Sequence, residues 1–268
     1  MKKVSISLLV ALAVLASCNN DDNGNNEVPE NVVSENPATF KEIGSITIGG
    51  EGAAEITAYD EKTKKLFAVN NSNTNQIDVI NLADPAKPVS IGKIDLGAYE
   101  GASNSVSIYD GKLAVALEST VNKQGNGKVV VFNTTDYSLI KQVTVGALPD
   151  MVTFSPDGKY IMTANEGEPN TDYSQDPNGT ISIIEVANNY AVTTLDFSSF
   201  SGQAESLKKD GFRISKFAKS FAQDIEPEYV TISEDSKTAW ITLQENNGVA
   251  KVDLASKVIT AIYPLGFK

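Results

Sequence analysis

A unit of four short apolar runs recurs along this chain, and it constrains the fold more than any other feature of the sequence. In the copy at residues 146–197, the runs alternate apolar and polar residues and are rich in Val, Ile and Thr. The segment 155–158 between the first two runs reads Ser-Pro-Asp-Gly, a sequence that favours a tight hairpin turn. The pattern therefore predicts four antiparallel strands in about fifty residues, which is the make-up of one β-propeller blade.

The same unit occurs four times. The predicted blades cover residues 52–97, 101–145, 146–197 and 225–265, and an insertion with helical stretches occupies residues 198–224. A repeat of roughly 40–50 residues with four strands per unit is typical of propellers. A β-sandwich is the alternative, but its strands would not recur in matched groups of four. We therefore expect an all-β domain over residues 40–268, built as a β-propeller of four-stranded blades.

A further strand is predicted at residues 40–48, ahead of the first blade. In a propeller, such a strand commonly completes the last blade and closes the ring. Here the last predicted blade already has a fourth strand of its own. Four blades and an orphan strand predict an incomplete ring, and hence a fragment of a longer propeller whose edge strands are open to pairing.

Residues 1–17 have the features of an export signal. Lys2 and Lys3 precede an apolar stretch that is too short to remain as a membrane-spanning helix. The stretch ends in Leu-Ala-Ser-Cys, which resembles a bacterial lipobox, so we expect Cys18 to carry diacylglycerol. An ordinary signal peptide with a chance cysteine is the alternative.

Residues 18–39 are rich in Asn, Asp and Glu and are predicted to form a disordered tether. The acidic residues directly after the cysteine resemble the export tracts of Bacteroidetes-type lipoproteins. Together with the lipobox, this predicts a lipid-anchored protein at the outer membrane or cell surface, with a periplasm-facing anchor as the alternative.

Composition excludes several classes of function. The chain has no histidine, which rules out Ser-His-Asp and Cys-His catalysis and any His-ligated zinc site within it. Its formal net charge is −12, with no basic cluster to offset it, so nucleic acid is an unfavourable partner. A soluble exported surface accounts for the acids, and a cation-binding role is the alternative.

Acidic and amide residues fall at equivalent positions of the repeats. One group opens the first strands, and a second group follows the second strands, which run back to the same face. These residues are Glu55, Asn104, Asp150 and Glu228, and then Glu118, Glu166 and Glu245. We expect them to crowd one mouth of the central channel and to bind a hard divalent cation, most plausibly Ca²⁺, which takes oxygen ligands and needs no histidine. Strand capping by the same side chains is the alternative.

Two other features have simpler interpretations. A second acidic loop at residues 165–178 lacks the spacing of an EF-hand and is interpreted as a solvated turn. Trp240 lies within a predicted second strand, where packing in the core is the expected role.

Several segments of the chain resemble the choice-of-anchor I family of bacterial exported proteins. They are Gly52-Ala53-Ala54-Glu55-Ile56, Ala147-Leu148-Pro149-Asp150-Met151, Ala164-Asn165-Glu166-Gly167-Glu168-Pro169, Asp176-Pro177-Asn178-Gly179-Thr180, Glu226-Pro227-Glu228-Tyr229-Val230 and Leu243-Gln244-Glu245-Asn246-Asn247. The family is similar to mesenchyme-specific cell-surface glycoproteins of echinoderms, and some bacterial members carry an alkaline phosphatase label. The resemblance runs from about residue 43 to residue 268, and family members continue into further blades and modules.

Two functions follow as hypotheses. The first is a non-catalytic, lipid-anchored propeller that binds a protein, a glycan or mineral ions at the cell envelope. The second, implied by the family label, is a metal-dependent phosphoesterase. Such an enzyme needs a nucleophile or a metal-activated water, and no Ser or Thr of this chain lies in a recognisable nucleophile turn. The sequence therefore favours binding.

Overall fold

The computed structural model describes residues 36–50, 53–72 and 75–267 of the 268-residue chain. The predicted signal peptide, Cys18 and most of the predicted tether lie outside the described residues. The chain divides into two units, residues 1–41 and 42–268. Of the first unit, the structure describes a short 3-10 turn, Pro37–Thr39, whose first N–H groups are capped by the Asn36 side chain.

The described residues form sixteen strands in four antiparallel sheets. The strands are β1 Ala53–Asp60, β2 Lys65–Asn70, β3 Gln76–Asn81, β4 Val89–Asp95, β5 Gly101–Tyr109, β6 Lys112–Ser119, β7 Asn126–Asn133, β8 Leu139–Ala147, β9 Pro149–Phe154, β10 Tyr160–Asn165, β11 Thr180–Glu185, β12 Ala191–Asp196, β13 Pro227–Ile232, β14 Thr238–Leu243, β15 Gly248–Asp253 and β16 Val258–Pro264. Each sheet contains four consecutive strands in chain order, and we call the sheets blades one to four.

The first strands of the blades lie side by side. Strand β5 contacts both β1 and β9, and β9 also contacts β13, so the four blades fan out from one edge. This confirms the all-β propeller architecture of four-stranded blades. Within the described residues the blades form an arc that does not close into a ring.

In blades three and four, equivalent side chains build the turn between the first and second strands. In blade three, Ser155 Oγ accepts a hydrogen bond from Tyr160 N, and Asp157 Oδ1 accepts one from Lys159 N. In blade four, Ser233 and Asp235 make the equivalent bonds to Thr238 N and Lys237 N. Such side-chain acceptors stabilise the turn locally, which is why the Ser-Pro-Asp-Gly pattern was informative.

Gly158 is required in the blade-three turn for two reasons. Its φ is +68°, in the left-handed region that disfavours a side chain. A Cβ there would also lie 2.0 Å from the ring of Tyr109 in blade two. The turn of one blade therefore packs tightly against its neighbour.

The hydrophobic core consists of the interfaces between blades. One cluster joins blades one and two around Phe67 and Leu113, and a second joins blades two and three around Ala116 and Ile161. The third joins blades three and four around Met162 and Ile241, and it includes the insertion. In blades two and three, alternate residues of the middle strands thus face opposite neighbours, which explains why these strands are buried on both faces.

The insertion consists of a 3-10 helix, Ser198–Gln203, and two short helices, α1 Ala204–Lys209 and α2 Phe221–Asp224. Its apolar side chains enter the blade three–four cluster, where the rings of Phe212 and Phe221 stack with centroids 6.2 Å apart. This packing fixes the segment that leads from blade three into blade four.

The prediction of a strand at residues 40–48 is wrong. These residues have no strand conformation, and Phe40 and Ile43 are exposed. Among the described strands none pairs with them, and a strand requires a partner to satisfy its backbone groups. The segment is held to blade one instead by the Asn70 side chain, whose Nδ2 donates to the Ile48 carbonyl at 2.8 Å.

Candidate functional site

Each first strand contains a β-bulge near its start, and the predicted site residues lie at these bulges. The pairing register shifts between Ala53 and Thr57 in β1, between Ser103 and Ser105 in β5, and between Pro227 and Val230 in β13; in β9 it shifts where Pro149 and Met151 pair with adjacent residues of β10. The residues inside these irregularities include Glu55, Asn104, Glu228 and Asp150. A bulged residue leaves the ladder and its side chain is re-aimed, a device that is common next to functional sites.

Asp150 and Glu166 form the centre of the site. Asp150 lies at the bulge of β9, and Glu166 directly follows β10, the strand that pairs with β9. Burial, followed by repulsion from Asp150 and neighbouring acids, raises the pKa of Glu166 to about 8. Burial and then repulsion from Glu118 raise the pKa of Asp150. The fold has therefore placed these carboxyl groups close together and partly out of water.

Blade four brings two further predicted residues to the same place. Burial raises the pKa of Glu228, with additional repulsion from Glu245 and Asp150. The Oε2 atom of Glu228 is buried and has no hydrogen-bond partner among the residues that the structure describes. Glu118, Asp150, Glu166, Glu228 and Glu245 thus repel one another at one end of the blades, and we call this set the acidic mouth.

Asn104 and Glu55 occupy the corresponding bulges of blades two and one. Asn104 Nδ2 donates to the Pro149 carbonyl at 3.3 Å and so ties the bulge of β5 to the start of β9. Its role in the structure is to hold two blades in register. Glu55 is exposed on β1, at the far end of the arc from β13.

Several acidic residues at the border of the acidic mouth were not predicted from the sequence as site residues. Glu226, which directly precedes β13, has its pKa raised to about 7 by burial and then by repulsion from Glu245 and Glu168. Asp224, at the end of α2, is buried, and its pKa is raised to about 6 chiefly by burial. Glu168 belongs to the loop interpreted as a solvated turn, and it forms an ion pair with Lys123 at 2.8 Å. The signal that could have found them is the Glu-x-Glu spacing of Glu226 and Glu228 and of Glu166 and Glu168.

A single buried asparagine holds the insertion against blade four. Asn246 Nδ2 lies 2.8 Å from the Asp224 carbonyl and 3.2 Å from the Arg213 carbonyl, and its Oδ1 accepts a hydrogen bond from Glu226 N. Asp224 Oδ1 in turn accepts a hydrogen bond from Ser215 N at 2.7 Å. The insertion is therefore a fixed wall of the site.

A cleft of about 780 Å³ opens beside the acidic mouth. Its walls come from the β6–β7 turn, the loop after β10, the insertion and the β14–β15 turn, and its lining is almost entirely polar. The lining residues are Lys123, Gln124, Glu166, Glu168, Pro169, Asn170, Thr171, Tyr173, Arg213, Ser215, Asp224, Glu226, Glu245 and Asn246. We call it the polar cleft.

The carboxyl groups of the mouth are near enough to repel but do not converge on a point. In the part of the chain that the structure describes, no three acidic side chains are placed as the ligands of one metal ion would be. Residues 36–50, 53–72 and 75–267 also contain no helix with the length and apolarity needed to cross a bilayer.

Trp240 is not a core residue, contrary to the expectation from its strand. Its position in β14 corresponds to Met162 in β10, which is fully buried against blade four. Trp240 instead remains 36% exposed on the free face of blade four, where it contacts Tyr263 and Lys251. Among the described residues no further blade packs against this face, which the strand pattern alone could not reveal.

Comparisons with known proteins agree with this architecture. The model of the choice-of-anchor I domain matches residues 55–268. No curated protein matches the chain. Among solved structures, a functionally unknown protein from Desulfotomaculum acetoxidans is 10% identical, with a TM-score of 0.55 over 82% of this chain and 58% of that one. The Cps50 (Swd1) β-propeller domain of Myceliophteria thermophila is 11% identical, with a TM-score of 0.52 over 78% of this chain and 55% of that one. The chain thus spans little more than half of each structure, and the likeness is one of fold.

Proposed function

This chain belongs to the choice-of-anchor I domain family, and from that premise we propose that it is a lipid-anchored interaction module of the cell envelope whose acidic mouth binds Ca²⁺. The proposal combines the family, the propeller fold and the lipobox at Cys18. It assigns the chain a binding role at the outer membrane or cell surface.

The observation that carries the calcium proposal is the mutual repulsion of the carboxyl groups at the mouth, two of which, Glu118 and Glu166, also attract Lys123 at its border. Asp150, Glu166 and Glu228 come from adjacent blades, and burial with mutual repulsion raises the pKa of each. A cluster of carboxylates favours a bound cation of high charge. Calcium suits this set because it accepts oxygen ligands in flexible geometry.

Calorimetric titration of the unlipidated full chain (Cys18→Ala) with CaCl₂ tests this proposal. We expect binding with a Kd of about 10⁻⁴–10⁻³ M, the range of extracellular calcium modules, and a higher melting temperature in calcium. The double variant Asp150→Asn/Glu228→Gln should lose both effects. Glu61→Gln, an exposed turn residue distant in sequence from the mouth, is the matched control. No heat above dilution and no change in melting temperature would refute calcium binding.

Two further assays address the anchor and the kind of activity. When cells that express the wild-type chain are grown with labelled palmitate, the protein should become labelled. The Cys18→Ala substitution should abolish the label and release the protein from the membrane fraction. Calcium-dependent release of phosphate from an aryl phosphate ester would contradict a purely binding role.

A further inference from the structure

We propose that the polar cleft is a binding site for a short neutral oligosaccharide, with sugar rings stacked on Tyr173 and sugar hydroxyls bonded to the cleft lining. The inference rests on the proposed role as an interaction module, and it names a second ligand class for a cleft that shares Glu166 and Glu245 with the acidic mouth. It is carried by an aromatic pair at the rim, by the chemistry of the lining and by the rigidity of the walls.

An aromatic pair lies at the rim of the polar cleft. Tyr173 lines the cleft, and its ring lies 5.5 Å from that of Phe217, at an angle of 35° between the ring planes. Phe217 is 58% exposed, on the insertion. Tyr173 is half-buried, and Phe217 is exposed with Lys216 Nζ 5.0 Å from its ring centroid, so the pair lies at the surface beside a polar cavity. Aromatic faces of this kind offer an apolar surface to a ligand that is otherwise polar.

The loop that carries Tyr173 is braced in an unfavourable backbone conformation. Tyr173 has φ +57°, in the left-handed region that disfavours a residue with a side chain. Asn170 holds the loop: its carbonyl accepts a hydrogen bond from Tyr173 N at 2.9 Å, and its side chain bonds Gln175 N and Ser174 Oγ. The bracing keeps Tyr173 at the rim in the absence of ligand.

The lining suits hydroxyl groups better than a strongly charged ligand. Gln124, Asn170 and Thr171 present amide and hydroxyl groups. Lys123 pairs with Glu168, and the carboxylate of Asp224 is taken up by Ser215 N and Asn246. Because Lys123 and Arg213 lie among the five acids of the lining, the cleft is not matched to a polyanion, and a cationic peptide is the rival ligand.

Size and rigidity are consistent with an oligosaccharide of a few rings. The volume of about 780 Å³ lies within the roughly 300–1,000 Å³ of pockets that bury a small organic ligand. The wall formed by the insertion is fixed through Asn246, so little ordering is needed on binding.

The test is to screen the Cys18→Ala full chain, in chelator, against an array of neutral oligosaccharides of three to six rings and to titrate the strongest hit by calorimetry. We expect at least one hit, with affinity reduced tenfold or more in Tyr173→Ala and measurably reduced in Phe217→Ala. Tyr263→Ala, which removes a tyrosine that is 48% exposed on the free face of blade four, should bind as the wild type does.

Three results would overturn the inference: no hit on the array, a hit whose affinity Tyr173→Ala leaves unchanged, or displacement of the hit by oligolysine, which would identify a cationic peptide as the ligand. The calcium proposal is tested separately by calcium titration of Tyr173→Ala. This variant should bind calcium as the wild type does, so failure of one proposal does not entail failure of the other.

Discussion

Replacing Glu166 by glutamine should stabilise this protein, and the gain should grow with pH. The pKa of Glu166 is about 8 in the folded protein, against an ordinary value of 4.5, because the carboxyl is partly buried among Asp150, Glu168, Glu226 and Glu228. The folded state therefore keeps a proton that the unfolded chain has already lost. The contribution of the protonated Glu166 carboxyl to the free energy of unfolding is complete below pH 4.5 and is lost as the pH rises to about 8.

The difference between the pKa of Glu166 in the folded protein, about 8, and its ordinary value of 4.5 sets the size of the stability loss. At about 1.4 kcal/mol per pH unit, the loss is at most about 5 kcal/mol. Glu166 is partly accessible to solvent, and neighbouring acids share the repulsion, so about half of this is expected, about 2–3 kcal/mol. Glutamine keeps the size and hydrogen-bonding capacity of the side chain but cannot ionise, so Glu166→Gln should avoid this loss.

The assay is urea unfolding in chelator and low salt, followed by the fluorescence of Trp240, the single tryptophan of the chain. Urea is uncharged and so does not screen the repulsion being measured. The variant and the wild type should have similar free energies of unfolding at pH 4.5, and Glu166→Gln should be more stable by about 2–3 kcal/mol at pH 8.5. Glu61→Gln removes one negative charge from an exposed turn and controls for net charge. A difference that is independent of pH, or a wild type that is the more stable at pH 8.5, would refute the reasoning.

Three further substitutions test the packing that supports the site, each by urea unfolding at pH 6. Asn246→Ala should cost about 3 kcal/mol, because it leaves buried partners of the insertion without a hydrogen bond; Gln244→Ala, an exposed residue of the same turn, is the control. Gly179→Ala should cost about 3 kcal/mol or more, because its Cβ would lie 1.8 Å from the Ile225 carbonyl oxygen; Gly202→Ala, in open space, should be nearly neutral. Ile183→Ala should cost about 3 kcal/mol, because the side chain is fully buried between blades three and four. Losses below about 1 kcal/mol would contradict these assignments.

The four-stranded repeat could be predicted because its signals are local. Period-two alternation fixes each strand, and turn side chains such as Ser155 and Asp157 act within five residues of themselves. The acids of the mouth could be placed on one face because each lies at an equivalent position of its repeat. The bulges that aim Asp150 and Glu228 could not be predicted, since a bulge depends on the register of the partner strand.

The errors arise where long-range contacts decide. Residues 40–48 have a strand-like pattern but no partner strand among the described residues, so the backbone follows blade one without joining its ladder. The position of Asp224 and Glu226 at the border of the acidic mouth could not be predicted, because it depends on how the insertion folds back onto Asn246. Trp240 has the pattern of a core residue, and only the arrangement of blades leaves it exposed.

The most direct test of calcium binding at the acidic mouth is an anomalous difference map from crystals of the full chain grown in calcium. The account predicts a peak among the carboxyl groups of Asp150, Glu166 and Glu228, with oxygen ligands at about 2.3–2.6 Å. Two results would contradict the account. One is a calcium peak elsewhere in the crystal and none among these carboxyl groups, and the other is no calcium peak between these groups with their separation unchanged.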